Sequence, residues 1–252
     1  MTLPLVKYVL LAAARDKLIL SMLVVFAVAS SLAIFLGDSA VTEKDQFTLI
    51  FAASGLRIIS VIGLVLFVVF FVRRSFDSKD IEFLLSRPIG RVKLIVSYAF
   101  AFSIMSVCVG GAVAVTLYAL SPHLFSQGHI VWTASIISEL IIMVNVAFFF
   151  SMYISSAASA SMATMGLYVL GRLMGQLLGI IDSDLIDSEG MYAMALQLVS
   201  VVTPRLDLLG QTSWLLYGVD NQYGILFAIM QGAVFSALIL SAASLDFFKR
   251  QF

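Results

Sequence analysis

"RRSFDSKDIEFLLSRPIGRVK", Arg73 to Lys93, places six Lys/Arg and three Asp/Glu in 21 positions of a chain that is 61% apolar and only 12% charged. On both sides of it the sequence is almost unbroken hydrocarbon, residues 47–72 before and 94–120 after. A soluble domain carries about 25% charged and about 45 to 50% apolar residues. With a mean hydropathy of +1.06, the solvent of this chain is a bilayer, and its charged stretch is a loop between two spans.

A spanning helix needs roughly 20 apolar residues to cross about 30 Å of hydrocarbon. Six segments meet that length: 18–36, 47–72, 94–120, 134–154, 157–181 and 224–245. Strands of a closed barrel alternate apolar and polar residues, and these runs do not. The expected fold class is an all-α membrane protein of six transmembrane helices forming one domain over residues 1–252.

Basic residues set the orientation. With the N-terminus inside, the cytoplasmic side holds Lys7, Arg15, Lys17, Arg73, Arg74, Lys79, Arg87, Arg91, Lys93, Lys249 and Arg250, and the outer loops hold only Lys44 and Arg205. The outer loops carry acids instead, among them Asp38, Glu43, Asp45, Asp182, Asp184, Asp187, Glu189, Asp207 and Asp220. Both termini are expected in the cytoplasm. The first apolar run exceeds the about 7 to 15 residues of a signal-peptide core, so an uncleaved first span is expected. Before it, residues 1–17 place Leu5, Tyr8, Val9 and Ala12 along one side at helical spacing, which predicts a helix lying in the membrane surface.

Within the spans two features stand out. "GRLMGQLLG" sets Gly171, Gly175 and Gly179 at i, i+4 and i+8 of span five, a small-residue ridge that admits close approach of another helix, within the subunit or across a dimer. The second is charge. At about 1.5 Å rise per residue, Glu139 lies about 8 Å below the outer face of span four and Arg172 about 22 Å up from the inner face of span five. Their depths coincide, so they can pair, with Arg57 of span two as a competing partner. Ionisable groups at membrane depth are costly and count as functional candidates, as structural ion pairs or as substrate contacts.

Other chemistry is sparse. Cys108 is alone, which excludes a disulfide framework or a cysteine metal site within the chain. No G-x-x-x-x-G-K-[ST] phosphate loop occurs. His123 and His129 fall in the loop between spans three and four with no G-x-S-x-G beside them, against a serine hydrolase. Met162, Met165 and Met174 of span five read as packing or lipid-facing residues rather than a copper path. No catalytic residue and no metal ligand is expected, and no nucleic-acid partner.

The loop itself reads as a short helix. Asp77 or Ser78 can cap it, Asp80 and Glu82 suit its first turn, and Pro88 stops it. Ile81, Leu84 and Leu85 share one face inside a charged rim, the form of a helix made to enter a groove.

Six spans, an N-terminal surface helix, a cytoplasmic loop "DSKDIEFLLSRPIGRVKLIVSYAF" and a long outer loop before span six resemble the permease subunit of ABC-2 type transporters over essentially the whole chain. The most specific part, "IEFLLSRPIGR", is similar to that family's G-x-x-E-x-L-L-x-x-P-[IV]-x-R stretch. Glu82, Leu84, Leu85, Pro88 and Arg91 stand in the matching places, and Lys79 stands where the family often has Gly. The resemblance implies a non-catalytic subunit of an exporter in the bacterial inner membrane. It implies a homodimer or heterodimer of permeases in contact through spans one and five, with two copies of a separate ATPase that binds ATP and Mg, and room for periplasmic or accessory proteins. The loop 73–93 would be the coupling helix, with Lys79, Ile81, Glu82, Leu84, Leu85 and Arg91 docking the ATPase. The outer loop 182–223 would be re-entrant, broken at Pro204, with Trp214 and Tyr217 at the interface. The rivals from other classes are a secondary carrier and a six-helix intramembrane enzyme, each working without an ATPase.

Overall fold

The computed structural model describes residues 3–40, 43–78, 90–182, 191–219 and 222–249. Every regular element among them is helical: α1 (Leu3–Arg15), α2 (Leu18–Asp38), α3 (Lys44–Asp77), α4 (Arg91–Leu120), α5 (Gln127–Tyr153), α6 (Ala157–Asp182), α7 (Met191–Val202), α8 (Trp214–Tyr217) and α9 (Gln222–Lys249), with short turns at Pro122–Leu124 and Leu206–Leu208. Helices are the form in which a chain in lipid satisfies its own backbone. The hydroxyls follow the same rule: Ser60, Ser75, Ser106 and Thr164 each donate to the carbonyl one turn back.

Five helices, α2 to α6, are long and apolar enough to cross a membrane. The sixth expected span falls on α9, whose described apolar stretch Ile229–Leu245 is shorter than the 18 residues that define the others. Several helices outrun their apolar runs. α3 begins at Lys44 and continues through both arginines to Asp77, and α5 begins at Gln127, several residues before the expected Ala134. The cause at α5 is a capping box. Ser126 caps the first turn while its own N–H donates to His129 Nδ1 at 3.2 Å, so His129 is a buried helix-start residue rather than part of a loop.

The core runs through α5, which packs against α3, α4, α6 and α9. Near the α1 end of the bundle an aromatic cluster of Phe71, Tyr98, Phe102 and Phe148 joins α3, α4 and α5, with the Phe102 and Phe148 centroids 5.6 Å apart. On this cluster sits α1, burying Leu5, Val6, Val9, Ala12 and Ala13. Tyr8 lies off that face and is partly exposed, its ring 6.2 Å from Phe71. The corner between α1 and α2 is tight: Lys17 adopts φ 53, ψ 27, a left-handed conformation that costs a non-glycine residue roughly 1 to 2 kcal/mol. Asp16 in this corner accepts a 2.6 Å bond from Arg74 at the foot of α3. α1 is thereby tied, through the corner that follows it, to the end of α3 from which the charged stretch departs.

Candidate functional site: a clasped outer turn

At the opposite end, the segment after α7 folds back onto the bundle. Pro204 breaks α7, and Leu206, Leu209, Trp214 and Leu215 are all buried. Three helices hold this turn by its backbone. Arg57 of α3 donates to the Gly210 carbonyl at 2.8 Å. Arg172 of α6 donates to the carbonyls of Leu206 and Leu209 at 2.5 and 2.7 Å. Gln231 of α9 accepts from the Arg205 N–H at 3.1 Å. Arg205 and Asp207 close on each other through two bonds of 2.9 and 2.8 Å, and those bonds raise the Arg205 pKa above its ordinary range.

Three glycines make the close approach possible. Gly210 has φ +60, and a Cβ there would lie 2.6 Å from Ile136 Cδ1. A side chain on Gly128 would overlap the Trp214 carbonyl, and one on Gly175 would meet Asp207 Oδ2 at 2.6 Å. The predicted glycine ridge is therefore occupied at two of its three positions by the chain's own outer turn, Gly171 against Pro204 and Leu206, and Gly175 against Asp207. Gly179 has open space around it.

Beneath the turn lies Glu139, 0% exposed. The structure brings it to 3.7 Å from Arg172 Nη1, a charge contact rather than a hydrogen bond. Arg57 and the Tyr168 hydroxyl face the same carboxylate. Two cations thus share one buried anion while spending their hydrogen bonds on the turn's carbonyls. A buried ion pair with incomplete hydrogen bonding contributes less than an apolar replacement of equal volume, so these groups are poor choices for stability alone. What this geometry does is hold a turn in place by charge.

Of the docking residues expected in the cytoplasmic loop, Arg91 opens α4 and is half-buried. Lys79, Ile81, Glu82, Leu84 and Leu85 lie outside the described residues. Asp77 and Ser78 end α3, Ser78 as its C-cap and Asp77 paired with Arg73 at 3.4 Å; the helix they were expected to cap lies outside the described residues. Trp214 turns into the protein, while Tyr217 is exposed. Cys108 is exposed within α4, and among the described residues no group of three or more His, Cys, Asp or Glu is arranged to hold a metal ion.

Sequence reading missed Gly128, Asp207, Gly210 and Gln231. Gly210 follows two leucines before a polar run, a turn signal; nothing in its neighbourhood announces that its carbonyl meets an arginine 153 residues away.

The fold and this site define a multi-pass, all-helical membrane protein with charged groups packed beneath a turn that folds back onto the bundle. No protein-family model matches the chain, and no curated protein matches its sequence.

Proposed function

We propose that this chain is the membrane-spanning permease subunit of an ATP-driven transporter of the ABC-2 type, exporting its substrate across a bacterial inner membrane. The observation that carries the reading is the charged stretch in its setting. α3 runs as one helix to Asp77 and α4 restarts at Arg91, so residues 78–90 connect two packed spans, and the Asp16–Arg74 bond holds the end of α3 that leads into them. A helix presented there moves with the spans that carry it. In this reading α9 is the sixth span, both termini are cytoplasmic, and α7 with the outer turn forms the re-entrant element. The exposure of Met191, Met194, Leu198, Val201 and Val202 along α7 suits contact with lipid.

Two copies of a separate ATPase supply ATP and Mg chemistry, and the permease pairs with a second copy or a related permease. Burial supports the pairing. Only 22% of the most apolar stretch is buried in α2 and in α6, against 44 to 61% in α3, α4 and α5. α6 also leaves Ser159, Gly166 and Gln176 exposed on its open side, polar and small residues that gain from a protein neighbour in lipid. The buried Glu139 and Arg172 are what a secondary carrier would also show, and that rival predicts transport without an ATPase.

The deciding experiment is co-purification from membranes. Leu85→Asp would bury an unpartnered charge in the ATPase groove and is expected to abolish recovery of the ATPase with the chain still inserted. Glu82→Ala keeps the apolar face and is expected to retain the complex while hydrolysis and transport become partly uncoupled. Normal ATPase recovery with Leu85→Asp removes the docking reading.

A further inference from the structure

Between α2 and α3, at the end of the bundle that carries α1, runs a groove of about 350 Å³ lined by Leu18, Ser21, Leu66, Phe67 and Phe70, with Asp16 and Arg74 at its mouth. It extends from Arg74 down α3 to Gly63, a distance of about 16 Å at 1.5 Å per residue. That is about the depth of one leaflet of a 30 Å hydrocarbon core. The mouth is basic. Arg74 is 60% exposed although bonded to Asp16, and a guanidinium has five N–H donors, so one bond to a carboxylate leaves donors facing outward. Asp16 and Arg74 are the charged residues that line the groove, and Arg15 and Lys17, both exposed, flank Asp16 in the chain, so this corner carries three cations against one anion. Lys17 also starts α2 with no side-chain cap, so the positive end of that helix faces the same mouth.

We propose that this groove holds one acyl chain of an anionic phospholipid from the leaflet on the α1 side, with the headgroup phosphate bound at Arg74 and Lys17. The apolar wall cannot select a lipid, because every tail is as apolar as leucine. Selection resides in the headgroup: near an anionic membrane surface each Lys or Arg contributes about 1 kcal/mol, which is about fivefold in affinity per cation. The Asp16–Arg74 bond holds the guanidinium over the mouth instead of letting it swing into water. Occupancy would brace the strained corner at Lys17 and the foot of α3, where the charged stretch begins. The binding claim stands without the transporter reading, since no ATPase is needed to measure it.

The test is native mass spectrometry of the purified full chain, titrated with phosphatidylglycerol, with phosphatidylcholine of the same tails, and with inorganic phosphate. The expected result is one retained phosphatidylglycerol per chain at concentrations where phosphatidylcholine and phosphate are lost. Arg74→Gln combined with Lys17→Gln should reduce that preference at least fivefold. Leu66→Trp, at a partly exposed position on one wall, and Ser21→Phe, on the other, should each remove the retained lipid; using both guards against one variant failing to fold. Equal retention of the two lipids overturns the proposal, as does phosphatidylglycerol retention unchanged in both groove-filled variants. Competition by free phosphate assigns the mouth to a soluble anion, and a changed ratio of monomer to dimer with lipid unchanged assigns the groove to a second copy; either result also overturns it.

Discussion

α5 and α2 are both spanning helices, yet they live in different surroundings. The most apolar stretch of α5 is 61% buried at a hydropathy of 1.9, while that of α2 is 22% buried at 2.6. The greasier helix is the one left outside. In water the ordering would reverse, but in lipid an apolar side chain gains little by moving from tails to protein, whereas a polar one gains a great deal. α5 carries Ser135, Glu139, Asn145 and Ser151, all buried, and these draw it to the centre. α2 exposes Leu20, Val24, Val28 and Phe35, which lipid solvates well. α3 and α6 break the pattern: α3 has the highest hydropathy of the five, 2.7, yet is 50% buried, and α6 has the lowest, 1.2, with burial as low as that of α2. In the proposed reading, a helix so poor in hydrocarbon and so little covered turns its exposed face to a second permease.

The largest test of this contrast is at the centre of α5. Glu139→Ala leaves Arg172 without its anion in a low-dielectric site, and the expected cost is about 3 kcal/mol, the low end of the range because Arg172 keeps its two carbonyls. Thermal melting in detergent measures it. The exchange Glu139→Arg with Arg172→Glu should recover part of the loss, and strictly additive losses would show that the two groups do not act as a pair. Full stability with transport lost would make Glu139 a substrate contact instead.

The next test separates the two faces of α6. Gly175→Leu must displace Asp207 and so loosen the outer turn, at an expected cost of about 1 to 3 kcal/mol to the single chain. Gly166→Leu meets nothing within 4 Å and should leave the monomer's melting unchanged. If the exposed side is a subunit contact, Gly166→Leu should nonetheless reduce cross-linking between single cysteines along α6. Destabilisation of the monomer by both variants equally would erase the distinction between the faces.

The smallest effect is expected on α2. Val28→Ala, on the exposed side, should change the stability of the chain by less than about 0.5 kcal/mol, against several times that for a buried core truncation such as Leu140→Ala. A large loss at Val28 in the isolated chain would mean that the outer face of α2 already has a partner.

Much of the architecture was legible because each span is dictated locally. About 20 apolar residues in a row have one stable form in lipid, and α2 to α6 match the expected runs with their ends extended. At α5 the extension is equally local but finer: Ser126 and His129 form a capping box that hydropathy does not register. Helical rise alone put Glu139 and Arg172 at matching levels, and the structure brings them to 3.7 Å. Rotation about each helix axis is another matter, since it depends on which neighbour is present. Gly171, Gly175 and Gly179 look alike in the sequence, yet the first two press on the chain's own turn while the third is open.

By itself, then, the sequence determined the apolar solvent, the helical class and the levels at which Glu139 and Arg172 sit along their helices, all consequences of hydrophobic transfer and of a fixed rise per residue. Only the tertiary structure decided what those charges hold. Arg57 and Arg172 are bound to the backbone carbonyls of Leu206, Leu209 and Gly210, and a carbonyl is present in every residue, so no pattern of side chains marks those three as the partners. A pairing between a side chain and a distant main chain is set by how the helices pack, by the left-handed turn at Gly210 and by the space left at Gly175 and Gly128, and it exists only once the chain has closed on itself.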